Sequence, residues 1–259
     1  MPYILFFLFL IFPWSAYGSI QTQAVEYRHG QTTLAGFLAY DDAREGKRPG
    51  ILIIHEWKGF GDYVKMRAQK LAELGYVAFA LDMYGKGVFA KNHEEAGALS
   101  GIYFNDRVLM RSRALAGLEV LKNQEIVDTG KLAAIGYCFG GAAVLELARA
   151  GTDLSAVVSF HGSLKTPMPS GPGDIKAKIL VMHGADDGFI KPEQIAAFQE
   201  EMRRSGADWQ MIMFGDAVHG FTVPEAGSDK STGVAYNEKA DKRSWTLMQS
   251  FFSEIFNSG

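Results

Sequence analysis

The only cysteine of the chain stands among glycines, in the run Gly136-Tyr137-Cys138-Phe139-Gly140-Gly141. Glycine two residues before it and two after it is the G-x-nucleophile-x-G spacing of a nucleophile elbow, with cysteine where serine is usual. The glycines have a steric task. A turn this sharp strains the backbone of the nucleophile, and any nearby Cβ would collide with the flanking strand or helix. Held at the start of a helix, the sulfur would meet backbone amides and a positive dipole end, which favour a thiolate and then an oxyanion. The bland alternative is a small buried hydrophobe in a glycine-rich turn of the kind that also binds phosphate. Glycines at 136, 140 and 141 do not match the G-x-G-x-x-G spacing of a dinucleotide loop.

Presenting that sulfur requires a strand before it and a helix after it. Residues 132–135 read as a short buried strand and residues 142–150 as a helix rich in alanine and leucine. Upstream, residues 25–40 alternate as two strands around a His29-Gly30 turn, and residues 50–55 are a continuous apolar run, the mark of a strand covered on both faces. Asp62 is placed to cap a helix that runs to Gly75. Residues 76–81 give another strand. The glycine-containing stretch to about Gly101 suits a small lid over the strand ends, followed by a long amphipathic helix over 104–122. Strands are expected at 154–160, 177–182 and 208–214. Helices are expected at 192–204, with Pro192 in the first turn, and at 239–256; residues 222–237 read as a mobile loop. A hairpin followed by strands alternating with helices implies a mostly parallel α/β sheet covered on both faces.

A chain of 259 residues with 47% hydrophobic residues can bury one large core. A formal charge of −3 gives no field for nucleic acid or anionic lipid. Residues 3–12 are almost wholly apolar, Pro13 ends the run, and Ala16 and Gly18 are the small residues a signal peptidase reads. Residues 1–18 are therefore expected to be a cleaved signal, leaving a single domain over 19–259 that is periplasmic or secreted and has no membrane contact after cleavage. Ten apolar residues fall short of the roughly 20 that span a bilayer. A lone thiol in an oxidising compartment is easier to explain in a catalytic motif than as filler.

Functional groups of such a sheet gather at the carboxyl ends of its strands, where Glu56, Asp82, Cys138, His161, Asp187 and His219 fall. A nucleophile at an elbow, an acid after the next strand but one and a histidine after the last strand follow the chain order of the α/β-hydrolase fold. His55-Glu56-Trp57-Lys58-Gly59, the elbow, Asp187-Gly188-Phe189-Ile190 and His219-Gly220-Phe221 together resemble the dienelactone hydrolase family, from about residue 24 to the end.

The resemblance implies a hydrolase of small esters or lactones with Cys138 as nucleophile, His219 as base and Asp187 as the acid that orients it. Local chemistry agrees, because a free thiol needs a base and that base needs a carboxylate to fix its tautomer. Asp186 is the alternative acid, and the resemblance favours Asp187. The Trp57 and Phe139 amides are the expected oxyanion donors. Glu56, the family's extra acid, either tunes the nucleophile or forms a salt bridge with a nearby Lys or Arg. Asp82 is expected to bond its own turn. His55, His161 and His183 also fall at strand ends, but no pair has compact ligand spacing, so neither a metal nor any cofactor is expected.

Family members that act on dienelactones hold an anionic substrate with arginines, one of them shortly after the histidine; here Thr222-Val223-Pro224 follows, with Lys86, Arg107 or Arg111 as candidate substitutes. The expected partner is a small ester, lactone or thioester as substrate, and the protein is expected to be a monomer or homodimer. The rival reading is a non-hydrolytic ligand-binding or thiol-reactive protein on the same fold.

Overall fold

The computed structural model describes residues 19–257. The expected leader, residues 1–18, lies outside the described residues. In chain order the strands are β1 (Ile20–His29), β2 (Thr32–Asp41), β3 (Arg48–Ile54), β4 (Val77–Leu81), β5 (Val127–Tyr137), β6 (Ala156–Phe160), β7 (Lys178–Gly184) and β8 (Trp209–Phe214). The helices are α1 (Asp62–Glu73), α2 (His93–Asn105), α3 (Arg107–Lys122), α4 (Phe139–Arg149), α5 (Pro192–Ser205) and α6 (Glu238–Asn257).

The apolar run of β3 is stable only if both faces of the strand are covered. Leu52 and Ile54 enter one core, Ile51 and Ile53 the other, in the two-residue alternation of a pleated strand. All four are fully buried, each contributing about 1.5–3 kcal/mol. One sheet carries all eight strands in the order β1-β2-β4-β3-β5-β6-β7-β8. The β1–β2 and β2–β4 pairings are antiparallel and the others parallel. Helices α1 and α6 cover one face, and α2 to α5 the other. The mostly parallel sheet with an N-terminal antiparallel hairpin is the one the sequence implies.

Four local expectations change. Asp62 does not cap α1: the cap is Gly61, which has no capping side chain, and Asp62 is the first helical residue, 3.0 Å from Lys65. The stretch to Gly101, expected only as a small lid over the strand ends, is helical from His93, where Asn92 accepts from the Glu95 amide at 2.9 Å and Glu95 accepts from the Lys91 amide at 2.8 Å. Asp106, whose carboxylate caps α3 through the Leu109 amide, separates the two helices. Helix α4 begins at Phe139 rather than three residues later, since Gly140 and Gly141 are packed inside its first turn. Finally, residues 222–237 are tied down: Val234 bridges to His219, and the Ala235 and Asn237 amides donate to the carbonyls of His219 and Phe221.

Candidate active site

The cysteine sits on the corner between β5 and α4 with φ 53° and ψ −111°, a conformation that costs a non-glycine residue about 1–3 kcal/mol. Neighbouring contacts over-determine it. The Cys138 amide donates to the Phe160 carbonyl at 3.0 Å, and the Cys138 carbonyl accepts the first helical bond, from Ala142 at 3.2 Å. A Cβ at position 136 would lie 2.1 Å from the Gly140 carbonyl oxygen, and one at position 140 would lie 2.1 Å from the Ile54 carbonyl oxygen. The glycines are therefore required by close approach of backbone to backbone, as the motif predicts.

Three strand ends then converge. His219 Nε2 lies 3.1 Å from Cys138 Sγ, and His219 Nδ1 lies 2.8 Å from Asp187 Oδ2. Asp187 is buried, and its second oxygen accepts from the Phe189 amide at 2.9 Å. Asp186 is exposed, so of the two adjacent acids Asp187 is the one that faces the histidine. Burial alone would push the His219 ring down, but the Cys138 sulfur and the Asp187 carboxylate together hold it well above the ordinary histidine range. Burial would raise the Asp187 carboxyl; the hydrogen bond and charge of His219 outweigh it and hold Asp187 low. Such an arrangement can take a proton from the thiol and return it to a leaving group.

Glu56 has no salt-bridge partner among the described residues, which removes the structural alternative raised for it. Burial pushes its carboxyl up to about 7, against the opposing pull of His219 and Lys58. The Phe139 amide heads α4, where no intrahelical acceptor exists. The Trp57 amide comes from the turn after β3, and no acceptor for it occurs among the described residues.

The sequence profile of the dienelactone hydrolase family matches residues 34–256. The chain belongs to the dienelactone hydrolase family. It is accordingly a hydrolase of the class that acts on esters or lactones. Among solved structures it is similar to m3DLH, with a TM-score of 0.87 and 39% identity over 92% of this chain and 99% of that one. It is also similar to a dienelactone hydrolase-like promiscuous phosphotriesterase from metagenomic libraries, with a TM-score of 0.85 and 43% identity over 92% and 99%. A protein of Aquifex aeolicus named "Putative carboxymethylenebutenolidase" is 27% identical over 89% of this chain and 97% of its own length.

The three basic side chains considered as substitutes for the family's substrate arginines are committed elsewhere. Lys86 pairs with Glu26, Arg111 donates twice to Glu146 at 3.0 and 2.7 Å, and Arg107 donates to the Lys165 carbonyl while lying 4.8 Å from the Phe104 ring centre. Asp82 bonds its own turn, accepting from the Tyr84 and Gly85 amides at 2.8 and 3.0 Å. Of the strand-end histidines, His161 is buried with Nε2 2.8 Å from the Thr222 hydroxyl and its ring 5.2 Å from that of His219. Burial, with the nearby charge of His219 and Arg67, keeps it well below its usual range.

Thr222 therefore anchors the histidine loop instead of meeting substrate, through the Tyr63 hydroxyl at 2.7 Å and an Arg67 bond to its carbonyl at 2.9 Å. Two aromatic neighbours escaped the sequence reading. Phe189, 57% exposed, lies 5.5 Å from the His219 ring, and Tyr84 donates to the Trp57 carbonyl at 2.9 Å. Phe189 was visible only as part of the Asp187 motif, and Tyr84 carried no signal.

Proposed function

We propose that this member of the family cleaves small esters or lactones through an acyl-cysteine intermediate. The observation that carries the reading is the single imidazole bridging Cys138 Sγ at 3.1 Å and Asp187 Oδ2 at 2.8 Å. Asp187 accepts from Nδ1–H, which leaves Nε2 free to take the thiol proton. Sulfur attacks the carbonyl carbon, the carbonyl π pair moves to oxygen, and the Trp57 and Phe139 amides hold that oxyanion. Collapse expels the leaving oxygen, which takes the proton from His219. Water, deprotonated by His219, then attacks the thioester and releases the acid and the thiol. A small thioester fits the same scheme.

Glu56, uncharged over part of the neutral range, lets the sulfur carry charge without a fixed anion beside it. The apolar stretch before Ser19 supports an exported enzyme. The similarity to a promiscuous phosphotriesterase supports a second substrate class, since the same thiol and amide pair suit attack at phosphorus.

Cys138→Ala tests the reading against p-nitrophenyl acetate, an enol lactone and a phosphotriester. Loss of turnover on all substrates is expected, and unchanged turnover removes the mechanism. A wild type that is stabilised by ligands but turns over none of them would support the binding-protein alternative.

A further inference from the structure

We infer that His55 aims the Trp57 amide at the oxyanion, a positioning role that rests on the hydrolytic reading above. The His55 ring is buried, at 1% exposure. Its Nε2 lies 3.1 Å from the Met83 amide nitrogen. An amide can only donate, so Nε2 is the unprotonated nitrogen and the ring hydrogen sits on Nδ1. That nitrogen lies 2.6 Å from the Glu56 carbonyl oxygen and donates to it. Both partners fix the same tautomer, since the amide can only donate and the carbonyl can only accept.

The Gly59 amide, at 3.1 Å, donates to the same oxygen. The Glu56 carbonyl and the Trp57 N–H belong to one planar trans peptide and point in opposite directions. Two donors holding the oxygen therefore hold the direction of the N–H on the other side. The following peptide is held as well, by the Tyr84 hydroxyl at 2.9 Å from the Trp57 carbonyl. His55, Tyr84 and Phe139 pack as one aromatic group: His55 lies 4.8 Å from Tyr84 and 6.0 Å from Phe139, and Tyr84 lies 5.5 Å from Phe139, between ring centres. The frame that fixes the Trp57 amide is thereby joined to the residue that supplies the other donor. An oxyanion donor helps only if it is aimed before charge develops, so that no reorganisation accompanies the reaction.

Two substitutions separate this role from a purely structural one. His55→Asn keeps an N–H near the position of Nδ1, whereas His55→Leu, of similar bulk, keeps none. Both leave the Met83 amide without its acceptor, so both share that stability cost and should lower Tm alike. With p-nitrophenyl acetate, His55→Leu is expected to lower kcat by about 10- to 100-fold with KM within about threefold of wild type. It should weaken trifluoroacetophenone, which forms an oxyanion on Cys138, by a matching factor. Alkylation of Cys138 by iodoacetamide needs no oxyanion and should proceed at the wild-type rate. His55→Asn should recover kcat to within about fivefold of wild type.

Equal kcat losses in the two variants, or a loss confined to KM, overturn the inference. If neither variant folds, Tyr84→Phe frees the Trp57 carbonyl and is read in the same way. A loss of kcat of about three- to tenfold is then expected, and no loss overturns the inference. A wild type that resists alkylation at Cys138 and turns over no ester instead overturns the hydrolytic reading beneath it.

Discussion

Replacing Glu56 with glutamine should alter how stability depends on pH, and the amount follows from where this carboxyl sits. Its environment raises the native pKa from 4.5 to about 7, chiefly through burial, with His219 and Lys58 opposing. Between those two values the native chain keeps a proton that the unfolded chain has released. Stability therefore falls as pH rises through this window and levels off above about 7. At 1.36 kcal/mol for each tenfold change in proton affinity, the full effect is ~3 kcal/mol. Glu56 as a residue is half-buried, so water recovers some of this and about 2 kcal/mol is expected. Urea denaturation of wild type and Glu56→Gln at pH 5 and pH 8 measures it. Wild type should lose about 2 kcal/mol more than the variant between the two conditions. If both proteins change by the same amount within ~0.5 kcal/mol, burial is not what sets this group's protonation.

Two further substitutions probe the rest of the site and its scaffold. In Asp187→Asn, the Phe189 amide should retain the side-chain oxygen and turn the new amide toward His219 Nδ1. The ring would then carry its hydrogen on Nε2, facing the sulfur, and kcat should fall by about 10²–10⁴-fold with little change in Tm; a loss under tenfold would mean that the tautomer is set elsewhere. In Gly141→Ala, the new Cβ would meet Ser159 Oγ at 2.7 Å and Gly162 Cα at 2.8 Å, where α4 lies on β6. A cost of about 2 kcal/mol, seen as a Tm lower by roughly 5 °C, is expected. A Tm within 1 °C of wild type would show that the two elements part freely.

Much of the architecture was readable because strand periodicity reports burial directly: Ile51 to Ile54 alternate between two cores, and a strand covered on both faces leaves an uninterrupted apolar run. The elbow was readable for a related reason, since Gly136 and Gly140 mark backbone contacts that no other residue permits. The errors fell where local and tertiary effects compete. Glycines 97 and 101 give no helix signal, but the Asn92 and Glu95 side chains, accepting from the Glu95 and Lys91 amides, offset their cost in α2. Gly140 and Gly141 look like helix breakers and lie inside α4, because their packing against β3 and β6 more than compensates. The part played by His55 was invisible in principle: it depends on which atom of Met83 meets the ring, and residues 28 positions apart carry no local pattern for that.

The contact at Gly140 reaches beyond the strain it relieves. The first turn of α4 approaches the end of β3 until only a hydrogen atom separates Gly140 Cα from the carbonyls of Ile54 and His55. Phe139 opens that turn, and Trp57 follows that strand end. The spacing between their two amides is thus a property of main chain against main chain, independent of any side chain that lines the cleft. Exposed groups such as Phe189 can be exchanged without changing that spacing. Side chains around the elbow are free to change while the main-chain spacing stays where the glycine put it.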